Sequence, residues 1–319
     1  MKLAVVTCYF NALGVKSRLT NFEIFAARLK KQKVPLFVIE ALFPGQKSSL
    51  AHFANVTTVE CESVLWQKES LLNLLVRKLD KKFTGIVWCD ADVIFENALW
   101  YKQTSRLLKE YAVVQPFAKA IRLPRGARRY VKASEHFDTF AEVYQQTPQL
   151  LLKGDFAAHG HTGFAWAARR DIIESHGLYD AMIAGSGDHV MAHAFAGDFA
   201  SPCIYRILGN NARHIEHFQK WARKIYPQVR GRIGVVPGRL LHLWHGETEN
   251  RRYVDRNREL AAFDFDPERD IERDANGLWR WGRRKQGLQG RIGQWLSRGR
   301  KGEMRDWAIR YFAARKEDG

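Results

Sequence analysis

Residues 85–97 read GIVWCDADVIFEN, and the interpretation of this stretch governs the rest of the chain. Ile86, Val87, Trp88 and Cys89 make a short unbroken apolar run, the pattern of a strand covered on both faces. Two carboxylates follow one residue apart, Asp90 and Asp92. In extended backbone such side chains leave the same face, and a bend after Asp90 lets them converge. Carboxylates gathered at the end of a buried strand repel each other and lose solvation. A divalent cation removes that penalty, and hard carboxylate oxygens suit Mg²⁺ or Mn²⁺. A capping Asp90 beside a solvated Asp92 is the plainer alternative, and the apolar sequence on both sides favours the metal.

Outward from this strand the chain alternates. Residues 3–10 read as a first strand and 11–14 as the loop leaving it. Residues 21–33 have helical spacing, with Phe22, Phe25, Ala26 and Leu29 on one face. A second strand is expected over 35–41, a weaker third over 55–59, and a helix over 66–79 with a Leu71, Leu72, Leu75 and Leu79 stripe. Downstream, a helix over 99–109 leads to a strand over 112–116. This alternation predicts an α/β fold, a Rossmann-like, mostly parallel central sheet with helices on both faces. Ligands of such sheets bind outside the carboxyl ends of the strands, where the first loop and the Asp90–Asp92 pair both lie.

The rhythm fades over 117–158. There Arg122, Arg125, Arg128, Arg129 and Lys132 surround Pro124 and Gly126, which reads as a mobile basic loop over the site or a plain solvated one. A helix is expected over 135–146. A turn, a strand and a helix ended by Gly177 follow within 159–180. Further helices are predicted over 189–195 and 214–225, and a strand over 239–244. The last helix, over 303–316, spreads Trp307, Ile309, Tyr311 and Phe312 too broadly for a simple stripe.

The 319 residues are 46% hydrophobic and 27% charged, an ordinary globular composition. The net charge of +17 is not ordinary, and points to an anionic partner: nucleotide phosphates, acidic lipid or polysaccharide, or nucleic acid. Residues 276–316 hold 12 Lys/Arg against 2 Asp/Glu, so 12 − 2 = 10 of that excess is C-terminal. In this segment Trp279, Trp281 and Trp295 alternate with arginines, which suits an anionic membrane surface, nucleic acid or a basic flap over the rest. Cys8, Cys61, Cys89 and Cys203 are far apart in apolar surroundings. No CxxC pair suggests zinc and no disulfide framework is present, so buried free thiols in a reducing cytosol are expected. The apolar start is interrupted at Asn11 and has no cleavage pattern, which favours a strand over a signal peptide. No window approaches a membrane span. A cytoplasmic location follows, with peripheral contact at the inner membrane face through the basic segment.

Residues 65–100, LWQKESLLNLLVRKLDKKFTGIVWCDADVIFENALW, resemble the donor-binding core of GT-A-fold nucleotide-sugar glycosyltransferases. More narrowly, they are similar to the metal-dependent inverting galactosyl- and N-acetylgalactosaminyltransferases and their bacterial and phage relatives. Leu71, Leu72 and Asn73 take the place of that family's helix about 15 residues before its DxD strand. Residues 163–191, GFAWAARRDIIESHGLYDAMIAGSGDHVM, and 240–246, LLHLWHG, match its later elements in order. The resemblance covers roughly residues 3–260. It implies a transferase domain over 1–262, with nucleotide-binding (1–116) and acceptor/metal (117–262) halves, and a basic extension over 263–319.

The resemblance implies roles residue by residue. Asp92 is the direct metal ligand, and Asp90 binds the donor ribose or reaches the metal through water. A late histidine completes the site. His245 takes that place with His242 as the competitor, because residues three apart on a strand face opposite ways. Asp188, after the Gly185-Ser186-Gly187 turn, is the general base for the acceptor hydroxyl, with Gly187 beside the substrate; an N-cap role also fits Asp188. The family's doubled acidic pair stands here as Asp188-His189, so inversion rests on one carboxylate. Thr7, Tyr9, Phe10 and Asn11 would hold a uracil-type base and Arg18 the diphosphate. Lys68 and Asn73 would touch the nucleotide, although Lys68 also suits a solvated surface. His161 and Trp166 would face the acceptor sugar, with the core as the alternative for Trp166.

The implied reaction moves a sugar from a UDP-linked donor to a glycan or lipid-linked acceptor, with Mn²⁺ or Mg²⁺. Two rivals have identifiable gaps. A sugar-nucleotide nucleotidyltransferase shows a Gly-rich loop after its first strand, which NALGVKSRLTN (11–21) lacks. A non-enzymatic nucleic-acid binder explains +17 but not a buried strand ending in carboxylates. A phosphatase with an aspartyl nucleophile carries its DxD on the first strand, whereas this one lies nearly a third of the way along.

Overall fold

The computed structural model describes residues 1–153, 155–282 and 291–319, without the side chains of 291–298 and 301. Its first strand, β1 (Leu3–Phe10), sends alternate side chains into two cores. Ala4 and Val6 enter one apolar cluster, and Leu3 and Val5 the other. Then come α1 (Lys16–Lys31), β2 (Leu36–Leu42), β3 (Val56–Glu60), α2 (Lys68–Lys78), β4 (Gly85–Cys89) and the short β5 (Val93–Phe95). The chain continues through α3 (Trp100–Leu107), β6 (Val113–Gln115), β7 (Lys119–Arg122), β8 (Glu135–Asp138), α4 (Phe140–Gln146), β9 (Ala165–Arg169) and α5 (Arg170–His176). Three helices, α6 (Gly187–Ala196), α7 (Pro202–Ile207) and α8 (Ala212–Val229), precede β10 (Ile233–Val235) and β11 (Arg239–His242). The end holds α9 (Asp255–Ala262), α10 (Pro267–Asp270), β12 (Ile271–Arg273), β13 (Trp279–Trp281) and α11 (Arg291–Ala314).

Seven strands form the central sheet in the order β10-β6-β9-β4-β1-β2-β3. All neighbours are parallel except β9, which is antiparallel to both β4 and β6. The expected mixed α/β, mostly parallel architecture is therefore present. The chain leaves β1 towards β2 on one side and returns to β4 on the other, so the two carboxyl ends flank the crevice where ligands of such sheets bind. A second sheet, β5-β11-β7-β8, stands beside that crevice. In it β11 runs antiparallel to β5, with His242 opposite Val93. No helix among the described residues is long and apolar enough to cross a membrane.

Several boundaries differ from the sequence reading for local reasons. The faded segment contains β7 and β8, so Arg122 belongs to a strand and not to a loose loop. The expected helix over 135–146 starts only at Phe140, where the Thr139 hydroxyl accepts the Glu142 N–H; its first residues form β8. The helix expected from Asn21 begins earlier, at Lys16. Its first two free N–H groups, of Lys16 and Ser17, donate to the Asp318 carboxylate at 3.0 and 2.7 Å.

The C-terminal helix is also a correction. Met304, Trp307, Ala308, Tyr311 and Phe312 do make a stripe, at i, i+3, i+4, i+7 and i+8, while Ile309 lies outside it and is exposed. That stripe joins Leu65, Ile183, Leu260 and Phe265 in one cluster, and each fully buried large side chain contributes roughly 1.5–3 kcal/mol. Trp279 is likewise used internally: its Nε1 donates to the Asp180 carbonyl, and the Arg273 guanidinium lies 3.5 Å from its ring centre. The side chain of Trp295 and the whole of 283–290 lie outside the described residues.

Candidate active site

A cleft of about 310 Å³ opens at the carboxyl ends of β1 and β4. Asp90 and Asp92 both line it but turn to different partners. The Asp90 amide donates to the Phe164 carbonyl at 2.8 Å, which ties it to the residue preceding β9. Phe164 is held at φ 78°, an unusual conformation for a residue with a side chain. Its ring stacks on His161 on one side and His242 on the other.

On one side of the cleft stands Lys68, buried at the start of α2. Its Nζ is 2.6 Å from Asp90 Oδ1 and 2.6 Å from Asp188 Oδ2. Burial opposes the ammonium charge, but Asp188 and Asp90 outweigh it and hold the lysine well above its ordinary range. Burial pushes the Asp90 carboxyl up to about 6, with Asp188 and Asp92 adding to the shift and Lys68 opposing it. Behind them Glu69, buried under Gly187, is pushed up to about 8, mainly by desolvation. Asp188 Oδ1 is buried with no hydrogen-bond partner. The N-cap of α6 is Ser186 at φ 82°, so Asp188 occupies the first turn and does not cap the helix.

On the other side Asp92 meets two histidines. Its Oδ2 lies 3.0 Å from His245 Nε2 and 3.7 Å from His242 Nε2, and those two nitrogens are 3.2 Å apart. The opposite-face argument fails because β11 ends at His242. The Leu243 amide then pairs with the Asp92 carbonyl, and the chain bends so that both imidazoles reach one carboxylate. Burial holds His242 neutral, well below its ordinary range, and the histidines keep Asp92 ionised against burial. The three side chains offer ligand atoms within 4.8 Å of one another, and Asp92 Oδ1 is buried without a partner. One carboxylate and two imidazoles fit a divalent cation.

Arginines supply the positive charge of the remaining lining. Arg122, Arg251, Arg256 and Arg315 all border the cleft and keep buried N–H groups without partners. Arg251 also donates to His245 Nε2 at 3.0 Å, and Arg256 to Ser186 and Tyr311. Arg18 lines the cleft, and its guanidinium also pairs with Glu317. Arg251, Arg256 and Arg315 escaped the sequence reading because they come from segments with no motif. Trp66, which meets the Phe10 ring edge-on at 5.3 Å, also escaped it.

Tyr9, Phe10 and His161 line the cleft. Burial pushes His161 down to about 3, so it stands neutral there. Other expected contacts are corrected. Thr7 is fully buried and donates to the Cys89 carbonyl, pinning β1 to β4. The Asn11 amide is used closing its own loop on Val15. Asn73 holds the Leu178 backbone on the far side of α2. Trp166 is core, its Nε1 donating to Thr162. Gly187 packs against Glu69 and is absent from the cleft wall; a Cβ there would meet Glu69 Oε1 at 2.4 Å.

No family model matches this sequence, and no curated protein matches it. Solved structures give low-identity matches. Glucosyl-3-phosphoglycerate synthase from Mycobacterium tuberculosis, in complex with phosphoglyceric acid, is 15% identical; the match covers 82% of this chain and 79% of that one, with a TM-score of 0.39. S. aureus TarS in complex with UDP-GlcNAc is 11% identical over 75% of this chain, with a TM-score of 0.36, and the match spans only 58% of the TarS chain. The 4-diphosphocytidyl-2C-methyl-D-erythritol synthase of Anaerococcus prevotii is 11% identical over 74% of this chain and 87% of that one, with a TM-score of 0.37.

Proposed function

We propose that the protein is a metal-dependent glycosyltransferase that uses a nucleotide-linked sugar, with UDP as the expected nucleotide. One observation carries the reading: the Asp92–His242–His245 group shares a cleft with arginines whose N–H groups lack partners. Those N–H groups suit the oxygens of a diphosphate, and buried donors left unmatched cost about 1–3 kcal/mol each. Phe10 and Trp66 supply apolar faces for a base. A divalent cation held by Asp92, His242 and His245 would supply Lewis-acid neutralisation of the departing diphosphate.

The acceptor hydroxyl sits beside Asp188, whose Oδ2 is held by Lys68 while Oδ1 is left to accept a proton. The hydroxyl oxygen attacks the anomeric carbon, the bond to the diphosphate breaks with its electron pair, and the hydroxyl proton passes to Asp188. One displacement inverts the anomeric centre. His161, neutral and at the cleft wall, is placed to hydrogen-bond the acceptor sugar, a glycan or lipid-linked saccharide.

The test is a thermal-shift panel of nucleotides and nucleotide sugars with and without Mn²⁺, on the wild type and Asp92→Asn. A ligand at 100 times its Kd stabilises by about 2.7 kcal/mol. The expected result is a metal-dependent shift with UDP or a UDP-sugar that Asp92→Asn abolishes. Absence of a shift with every nucleotide overturns the reading.

A further inference from the structure

A second group of side chains with metal-ligand chemistry borders the acceptor side of the cleft. His159, His189, His193 and Cys203 are all buried, and each offers a ligand atom within 4.8 Å of the others. They come from three separate places: the turn before β9, two positions one helical turn apart on α6, and α7. Spacing along the chain hides the set, since 44 residues separate its ends (203 − 159).

The hydrogen bonds around the group orient its donors inward. His193 Nδ1 lies 2.6 Å from Asp198 Oδ2, and His159 Nδ1 lies 2.9 Å from the Gly160 carbonyl. Asp198 is itself fixed by the Ser201 N–H on its other oxygen. With those ring nitrogens engaged, the Nε2 atoms of His159 and His193 face inward, and both are buried without any partner. His189 Nε2 lies 3.1 Å from Cys203 Sγ. Phe140 and Phe156 pack on the imidazoles, and Phe156, His159 and His189 also border the cleft.

A hydrogen-bond network alone leaves two buried nitrogens without partners, a cost of about 1–3 kcal/mol each. A tetrahedral ion removes that cost. Zinc takes imidazole nitrogen at about 2.0–2.1 Å and thiolate at about 2.3 Å, which sets donors about 3.3–3.6 Å apart. The group needs only a modest contraction to reach that. The carboxylate and carbonyl behind His193 and His159 are the outer partners that metal-bound histidines use.

We propose that His159, His189, His193 and Cys203 form a closed structural zinc site, distinct from the Asp92 centre. Binding joins Zn²⁺ to three neutral imidazoles and one thiolate, and the Cys203 proton is released to solvent. The thiolate selects zinc over Mn²⁺ or Mg²⁺, so the two sites sort their ions by donor chemistry. Four protein ligands leave no open position, which assigns a structural role. The ion would fasten the turn carrying His161 to the helix carrying Asp188, since His159 and His189 are their near neighbours in the chain.

The test begins with elemental analysis of the purified full chain, expected to hold one zinc that Mn²⁺ dialysis does not displace. Replacement by Co²⁺ should give tetrahedral d–d bands and a thiolate-to-cobalt charge-transfer band. Asp92→Asn should keep both the zinc and the band, and Cys203→Ser should lose the band. Asp198→Asn, which keeps all four ligands, should weaken zinc binding about 10–100-fold. If Cys203→Ser does not fold, the wild-type cobalt spectrum decides. A wild-type chain that binds neither zinc nor cobalt, a cobalt spectrum without the thiolate band, or an Asp92→Asn chain without zinc each overturns the proposal.

Discussion

Replacing Lys68 by Met should destabilise the protein by about 3–5 kcal/mol at neutral pH, the cost of leaving buried charges without their partner. The ammonium sits 2.6 Å from each of two carboxylates, and its side chain is 5% exposed. At that distance each pair is worth roughly 6 kcal/mol gross for an effective dielectric of about 20. The several kcal/mol needed to desolvate the ammonium offset part of this. Methionine keeps the stem and its packing but leaves Asp90 and Asp188 facing each other, with Asp92 and Glu69 nearby. The Asp90 carboxyl, which burial already pushes up, should then titrate higher still in the folded variant. A raised carboxyl favours the folded state fully below its unfolded pKa, and the benefit is lost as pH rises through the folded pKa. The deficit of Lys68→Met should therefore be small near about pH 4 and grow towards about pH 8. Urea unfolding of both proteins across that range is the assay. A deficit under about 1 kcal/mol at neutral pH, or one that does not change with pH, would refute the claim that Lys68 is the counter-charge of this cluster.

Asp188→Asn should lower kcat about 10²–10⁴-fold while the nucleotide-induced thermal shift persists; a pure KM effect in steady-state kinetics contradicts the base assignment. Glu69→Gln should change the pH dependence of stability, because burial pushes the Glu69 carboxyl up to about 8. Its stabilising share is complete below the ordinary carboxyl range and is lost as pH rises through about 8. The Tm of Glu69→Gln relative to wild type should thus climb with rising pH, and a constant difference counts against a protonated Glu69. Arg315→Met should weaken UDP binding by about 1.5–3 kcal/mol, the loss of hydrogen bonds to a charged group, which calorimetry would read as roughly a 10–150-fold rise in Kd.

Much of the frame was legible in the sequence because it is local. The bounds of β1 follow from an apolar run ended by Asn11, and β4 from four buried residues ended by a carboxylate. Asp90 and Asp92 could be picked out because carboxylates are costly at the end of a buried strand, whereas Asp188, His242 and His245 were singled out only through the family resemblance. What could not be read were the pairings. Whether Lys68 was solvated or bridged two carboxylates depended on α6 arriving 120 residues later (188 − 68). The choice between His242 and His245 dissolved because β11 lies against β5 and bends, a fact of sheet register that strand periodicity does not contain. Asn73, Thr7 and Trp166 carried suitable chemistry but faced backbone and core.

By itself, then, the sequence determined the alternation of strands and helices, the place of the crevice and the two carboxylates that mark it, since these follow from hydrophobic periodicity within a dozen residues. Only the tertiary structure decided the electrostatics of the site. The Arg251, Arg256 and Arg315 lining, the Glu317 and Asp318 contacts to α1, and the His159–His189–His193–Cys203 group each join residues far apart in the chain. The physical reason is that burial and charge act through space: a side chain's role is set by what the fold places within a few ångströms of it.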